Sequence, residues 1–131
     1  MHDALGHHLT ALTLNACSQV SDLGPLTQCS QLVRLALFSC EQVSDLSPLA
    51  GLAQLTMLTL YACPQVSDLS PLAGLTQLTH LDLSRCSGVS DLRPLAGLTQ
   101  LTRLILRGNG RTLRAGRLRA LAGLPHLTIL R

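Results

Sequence analysis

Leu9-Thr10-Ala11-Leu12-Thr13-Leu14-Asn15-Ala16-Cys17 opens a phrase that returns, at a constant interval, at Leu32, Leu55, Leu78 and Leu101. The phrase reads L-x-x-L-x-L-x-x-C-x-x-V-S-D-L-x-P-L, followed by a short variable tail. Five full repeats fill most of the 131 residues, and a sixth begins at Leu127-Thr128-Ile129-Leu130. A fixed period of this size indicates a solenoid. One such unit cannot bury its apolar face alone, but stacked units share a continuous core.

The L-x-L centre of the phrase alternates apolar and polar positions, as a strand with one buried face does. Strands are therefore expected near 11–14, 34–37, 57–60, 80–83 and 103–106, stacked in parallel about 4.8 Å apart. Leucines at positions one, four and six point inward. Positions two, three, five, seven and eight point out or flank the strand on the concave side. The return path, V-S-D-L-S-P-L-A-G-L, buries Val43, Leu46, Leu49 and Leu52 in one example. Ser47 before Pro48 reads as an N-cap with proline at the first helical position. Gly51 follows soon after, so each convex turn is expected to be a single turn of 3-10 or short α-helix. Asp22, Asp45, Asp68 and Asp91 recur in register and suit local backbone amides. A column of carboxylates could also attract a cation. The architecture expected is an α/β, right-handed solenoid with a parallel concave sheet. Residues 1–8 are an N-terminal remnant and 9–131 the repeat domain.

The fifth repeat departs from the rule. The step from Leu101 to Leu127 is longer by three than the others, and the proline and Ser-Asp pair are absent. Leu113, Leu118, Leu121 and Leu124 have roughly helical spacing, with Arg111, Arg114, Arg117 and Arg119 between them. A longer basic helix is expected there.

Thirty-three leucines, a quarter of the chain, are enough to fill a core slot in every rung. All ten basic residues are arginine. Residues 1–84 carry one arginine against six acids, and residues 85–131 carry nine against one. Such a basic end can attract acidic protein, nucleic acid or lipid, although a solvated face is the simpler reading. No apolar run approaches the roughly 18 residues of a membrane span. The start, Met1-His2-Asp3, lacks the pattern of a signal peptide. Cys17, Cys40, Cys63 and Cys86 occupy position nine, where Asn109 stands in the fifth repeat. Cys29 takes a leucine position. Five thiols are an odd count, and buried thiols behave as small hydrophobes. Together these observations suggest a reducing, cytoplasmic setting, or secretion if the chain is part of a longer exported protein. Position nine forms a structural ladder, and one ligand per rung makes a line rather than the tetrahedron that zinc needs. No metal and no cofactor is expected.

The strand phrase followed by V-S-D-L-S-P-L-A-G-L-T-Q-L resembles the leucine-rich repeats of bacterial internalins and of the protein phosphatase 1 regulatory subunit. Those repeats are typically one residue shorter, with Asn at position nine and D-I-x-P-L in the return path. The Cys at position nine is closer to the cysteine-bearing repeats of some bacterial and trypanosomatid proteins. The fifth repeat is more similar to the ribonuclease-inhibitor type. The resemblance spans residues 9–131 and implies protein recognition on a concave or lateral face. It supplies no catalytic motif.

Comparing the repeats with one another separates framework from variation. Leucines, Val, Ser-Asp and Pro barely change, and variation gathers on the concave side. Position three runs Ala11, Arg34, Met57, His80, Arg103, Ile129; position five runs Thr13, Ala36, Thr59, Asp82, Ile105, Arg131. Position seven runs Asn15, Phe38, Tyr61, Ser84, Arg107, and position eight Ala16, Ser39, Ala62, Arg85, Gly108. Phe38 and Tyr61 are the chain's sole aromatics and stand on adjacent rungs. Aromatics and arginine are enriched in binding hot spots. With Met57 they suggest an apolar patch flanked by Arg34, His80, Asp82, Arg85, Arg103 and Arg107. The simpler alternative is that the pair only covers one edge of the sheet.

His80 and Asp82 could position a proton, yet no nucleophile or oxyanion hole accompanies them. His2, Asp3, His7 and His8 read as a frayed terminus. No phosphate loop, CxxC pair or HExxH is present. The expected function is a non-catalytic protein-interaction module with another protein as partner and nucleic acid disfavoured. Two alternatives are the recognition or regulatory part of a larger enzyme (a ubiquitin ligase or phosphatase regulator) and an anionic-ligand binder using the arginine-rich end. The terminal rungs lack capping segments, which suggests end-to-end self-association or a longer array.

Overall fold

The computed structural model describes residues 8–110, 114 and 116–131. Within them the chain winds into a solenoid with one six-stranded parallel sheet. The strands are β1 (Ala11–Asn15), β2 (Arg34–Phe38), β3 (Met57–Tyr61), β4 (His80–Asp82), β5 (Arg103–Ile105) and β6 (Thr128–Leu130), and they lie side by side in chain order. From β1 to β5 each residue pairs with its equivalent in the next repeat, as in Leu35 with Leu58 and Leu58 with Leu81. The leucines therefore stack on leucines. A central rung buries Leu55, Leu58, Leu60, Cys63, Val66, Leu69, Leu72 and Leu75 almost completely. Each fully buried leucine contributes roughly 1.5–3 kcal/mol relative to exposure.

The return path is a 3-10 turn in every repeat: Gly24–Gln28, Ser47–Leu49, Ser70–Leu72, Arg93–Leu95 and Leu118–Leu121. The serine N-cap expected at Ser47 is not what caps the turn. Leu46 is the N-cap residue and makes no side-chain cap bond. Asp45 holds the turn instead: its Oδ1 accepts the Ser47 amide at 2.9 Å and the Ser47 hydroxyl as well. Asp68 receives the Ser70 amide and hydroxyl at 2.9 and 2.6 Å. Asp22 receives the Gly24 amide at 2.7 Å, and Asp91 the Arg93 amide at 3.0 Å. The aspartate column is thus a set of Asx turns, and it tolerates Gly, Ser or Arg two positions later because the bond is to the backbone. These bonds hold the carboxyls of Asp45 and Asp68 below the usual range. Asp91, which also receives the Arg93 guanidinium, falls to about 2.

Among the described residues the long basic helix expected in the fifth repeat is not formed. The described part contains the short 3-10 turn Leu118–Leu121, preceded by Gly116 at φ 93°. A left-handed residue at that point breaks a right-handed helix. Arg111, Thr112, Leu113 and Ala115 lie outside the described residues, as does most of the 1–8 remnant.

The last strand corrects a register. Aligning the leucines places Leu130 inward, with Ile129 in the third column and Arg131 in the fifth. Instead Arg103 pairs with Thr128, Leu104 with Ile129 and Ile105 with Leu130. Ile129 therefore packs against the core and Leu130 takes the outward column. A one-residue slip exchanges the two faces of a strand. Ile fills the inward slot as a leucine would, so the pattern Leu-Thr-Ile-Leu allows both registers.

Two side-chain ladders tie rung to rung. At the start of the strands, the hydroxyls of Thr79 and Thr102 donate to the carbonyls of Thr56 and Thr79, both at 3.1 Å, and Thr56 reaches Val33 O at 3.4 Å. At the end, the position-nine side chain reaches back to the position-six carbonyl of the preceding rung. Cys40 donates to Leu14 O at 3.8 Å and Cys63 to Leu37 O at 3.7 Å; Cys86 donates to Leu60 O and the Asn109 amide to Leu83 O. A thiol is a weak donor, and Cys40, Cys63 and Cys86 are wholly buried. All five cysteines are unbridged.

Position eight closes every strand from β1 to β5 in the left-handed region: Ala16 has φ 49°, Ser39 56°, Ala62 56°, Arg85 57° and Gly108 77°. That conformation lets the amide donate sideways to the next rung, as Ala62 does to Ser84 O at 2.9 Å, while the chain turns away. For a residue with a Cβ it costs roughly 1–2 kcal/mol.

Three outcomes follow from this geometry. Ala62→Gly should raise the melting temperature by relieving up to about 1 kcal/mol of strain, whereas Ala50→Gly, in the right-handed region, should lower it; paired thermal melts check both. Burial pushes the Cys86 thiol from 9.0 up to about 12. Its un-ionised form therefore contributes stability that is whole below about pH 9 and is lost as pH climbs toward about 12. Melting temperature should fall as pH rises above that lower bound, less steeply in Cys86→Ala. Alkylation at neutral pH should mark half-exposed Cys17 long before Cys40, Cys63 or Cys86.

Candidate functional site

Alternation along the strands sends positions three, five and seven to the open face of the sheet. The pairing Arg34–Met57–His80–Arg103 makes position three a row that crosses four strands at right angles to them. Arg34 and Arg103 end this row about 14 Å apart, at three strand spacings of about 4.8 Å. Met57 is 37% exposed and is the one large hydrophobic residue so exposed among the described residues. It forms a ridge between two shallow depressions. One is floored by Thr13, Ala36 and Thr59 beside Arg34. The other lies between Met57 and Arg103, edged by His80, Asp82 and Ile105. The small side chains of position five make room for the first, and Asp82 and Ile105 narrow the second.

Phe38 and Tyr61 stand elsewhere. Their rings are half-buried, 6.0 Å apart and tilted by 45°. Tyr61 is four positions beyond Met57 on the same strand, about 13 Å away along the sheet. The single patch expected from sequence is therefore two clusters. Arg34, Met57, His80, Asp82 and Arg103 share the depressions. Phe38, Tyr61, Arg85 and Arg107 lie along the edge where the strands end, with Arg85 on the left-handed turn residue. Ser84, between Tyr61 and Arg107 in the seventh column, is buried, and its hydroxyl has no partner among the described residues.

His80 and Asp82 do not bond to each other. His80 Nδ1 bonds to the Thr79 hydroxyl at 2.8 Å, and Asp82 Oδ1 accepts the Ser84 amide at 2.8 Å. The Ser84 amide is thereby committed to a carboxylate of its own rung. The pairing of β4 with β3 ends at Asp82, whereas β2 and β3 stay paired as far as Phe38 and Tyr61.

The arginines divide by partner. Among the described residues the one ion pair is Arg93 to Asp91, at 2.9 Å on the return side. Arg117 there donates to Ser90 O at 2.8 Å. Arg34, Arg85, Arg103 and Arg107 are exposed on the sheet side, with no ion pair among the described residues. The strand pairing puts Arg34 and Arg103 in one column, as the repeat alignment does. Sequence reasoning missed that the arginines of the return side are partly occupied. Nothing in the repeat phrase announces a contact from Arg117 to the Ser90 carbonyl of the preceding repeat.

No protein-family model matches the chain, and no curated protein does. Solved structures match it along its length. An internalin of Listeria monocytogenes, inlF, superposes with a TM-score of 0.74 at 27% identity, covering 97% of this chain and 36% of the internalin. Internalin C2 of the same species gives 0.71 at 32% identity, covering 97% and 55%. The chain is a leucine-rich-repeat protein. A plant peptide hormone receptor, RGFR1, in complex with RGF2, shares the fold at 18% identity, with a TM-score of 0.69 and coverage of 98% and 21%. This leucine-rich-repeat chain thus spans between about a fifth and about half of these three structures. Among its described residues no helix is long and apolar enough to cross a membrane.

The aromatic pair is half-buried, so its contact should register in stability as well as in binding. A double-mutant cycle of Phe38→Ala and Tyr61→Ala, read by urea unfolding, should give a coupling of about 0.5–1.5 kcal/mol. A coupling near zero would show that the rings do not stack in solution.

Proposed function

We propose that this protein is a non-catalytic recognition module that binds another protein through the open, concave face of its sheet. Likeness to other leucine-rich-repeat structures supports a protein-interaction module in general. The observation that favours the sheet face is the row Arg34, Met57, His80, Arg103 beside two depressions. It joins exposed apolar surface to guanidiniums that have no ion pair among the described residues. Aromatic and arginine anchors that a partner covers dominate interface energies. Asp82 adds a charge of opposite sign, and Phe38, Tyr61, Arg85 and Arg107 form a second contact region at the strand ends. The return side offers less, because Arg93 and Arg117 are held by Asp91 and Ser90. A cytoplasmic location is proposed from the five unbridged thiols.

The experiment is site-specific photo-crosslinking in cells. A photoreactive residue at Thr59, on the sheet face, should yield a discrete protein adduct that is lost when Arg34 and Arg103 are both replaced by Gln. The same residue at Ala73, exposed on the return side, should yield none. Adducts from Ala73 alone would move the interface to the convex surface.

A further inference from the structure

The spacing of the row specifies the chemistry of a partner. We propose that the sheet face takes an extended peptide segment lying across β2 to β5, with two acidic residues four apart and an apolar residue midway. The inference rests on the sheet-face reading above. Arg34 and Arg103 are exposed and free of ion pairs among the described residues. Their backbones stand three strand spacings apart, about 14 Å. An extended chain rises about 3.3 Å per residue and turns every second side chain to the same side. Acids at the first and fifth residues are then about 13 Å apart and point the same way, which matches the two arginines. The third residue falls midway, between Met57 and His80, over the depression bordered by Ile105. Arginine favours carboxylates because its planar fork donates two parallel bonds.

The middle of the row also selects. Asp82 borders the central depression and repels an acid at the third residue, while Met57 and Ile105 offer apolar contact. A run of evenly spaced acids therefore fits worse than an acid–apolar–acid alternation. A nucleic-acid strand fits worse for the same reason, since its phosphates bring charge to the centre as well as to the ends.

The test uses the full chain and labelled synthetic peptides in fluorescence anisotropy. One peptide carries glutamates four apart with a leucine midway in a Gly-Ser background. Others place the glutamates two or six apart, or replace the leucine with glutamate. A labelled single-stranded oligonucleotide is the last probe. The four-apart peptide should bind at least tenfold tighter than each of the others. Arg34→Gln and Arg103→Gln should each weaken it about tenfold, and Arg119→Gln, exposed on the fifth return turn, should leave it unchanged. Circular dichroism of each variant checks that the fold is intact. Equal binding of all spacings, tighter binding of the oligonucleotide, or no binding of the four-apart peptide overturns the proposal. The crosslinking experiment separates the two levels. Adducts from Thr59 without peptide binding remove the acidic-peptide claim alone, and adducts from Ala73 alone remove the sheet-face reading with it.

Discussion

Parallel pairing of each strand residue with its equivalent in the next repeat is the constraint on which the rest of the molecule depends. Once two rungs share that register, every inward leucine meets its counterpart, and the strand backbones find the same partners one rung away. The core is then a stack of near-identical layers. Its stability is approximately a sum of rungs and interfaces between rungs. The same register explains why a short 3-10 turn suffices on the return side. The chain need only run back the length of one short strand and step sideways by about 4.8 Å, and the Asx turn after each V-S-D bends it on that path.

The rungs are held at both ends by ladders that differ in strength. Threonine hydroxyls at position two are ordinary donors, whereas the thiols at position nine are weak ones. The weak donors are also the most buried, so much of their contribution is apolar packing. That balance makes the cysteine column sensitive to alkali, because ionising a thiol there places a charge in the leucine core. Asn109 marks where the column ends. Its amide keeps the bond to the preceding rung, but its Oδ1 has no partner among the described residues. The regular pattern gives way in the same repeat, with a longer path before the next strand and a left-handed Gly116.

The proposed function rests on what the register leaves free. Because the inward positions are committed to leucine, side-chain identity can vary on the sheet face without disturbing the fold. The strand spacing converts those variable residues into a ruler. Arg34 and Arg103 belong to the second and fifth repeats and are distant in sequence, yet they are only three steps apart on the sheet. Tyr61, close to Met57 in sequence, is separated from it by most of a strand's length.

The constant repeat period, the alternation of the strands and the recurring aspartate were enough to read the solenoid, its strand positions and the columns that face outward. Repetition makes this possible, since each error of pattern would have to recur in every rung. Other features depend on tertiary contacts. Ala16, Ser39, Ala62 and Arg85 adopt positive φ although none is a residue that favours it; a carbonyl of the next rung accepts each of their amides. Ile129 rather than Leu130 faces the core because Leu-Thr-Ile-Leu fits two registers, and only packing against β5 chooses between them. His80 and Asp82 share a face without bonding because Thr79 and Ser84 lie nearer. In each instance the local sequence allowed more than one arrangement, and the geometry of the folded rungs selected one.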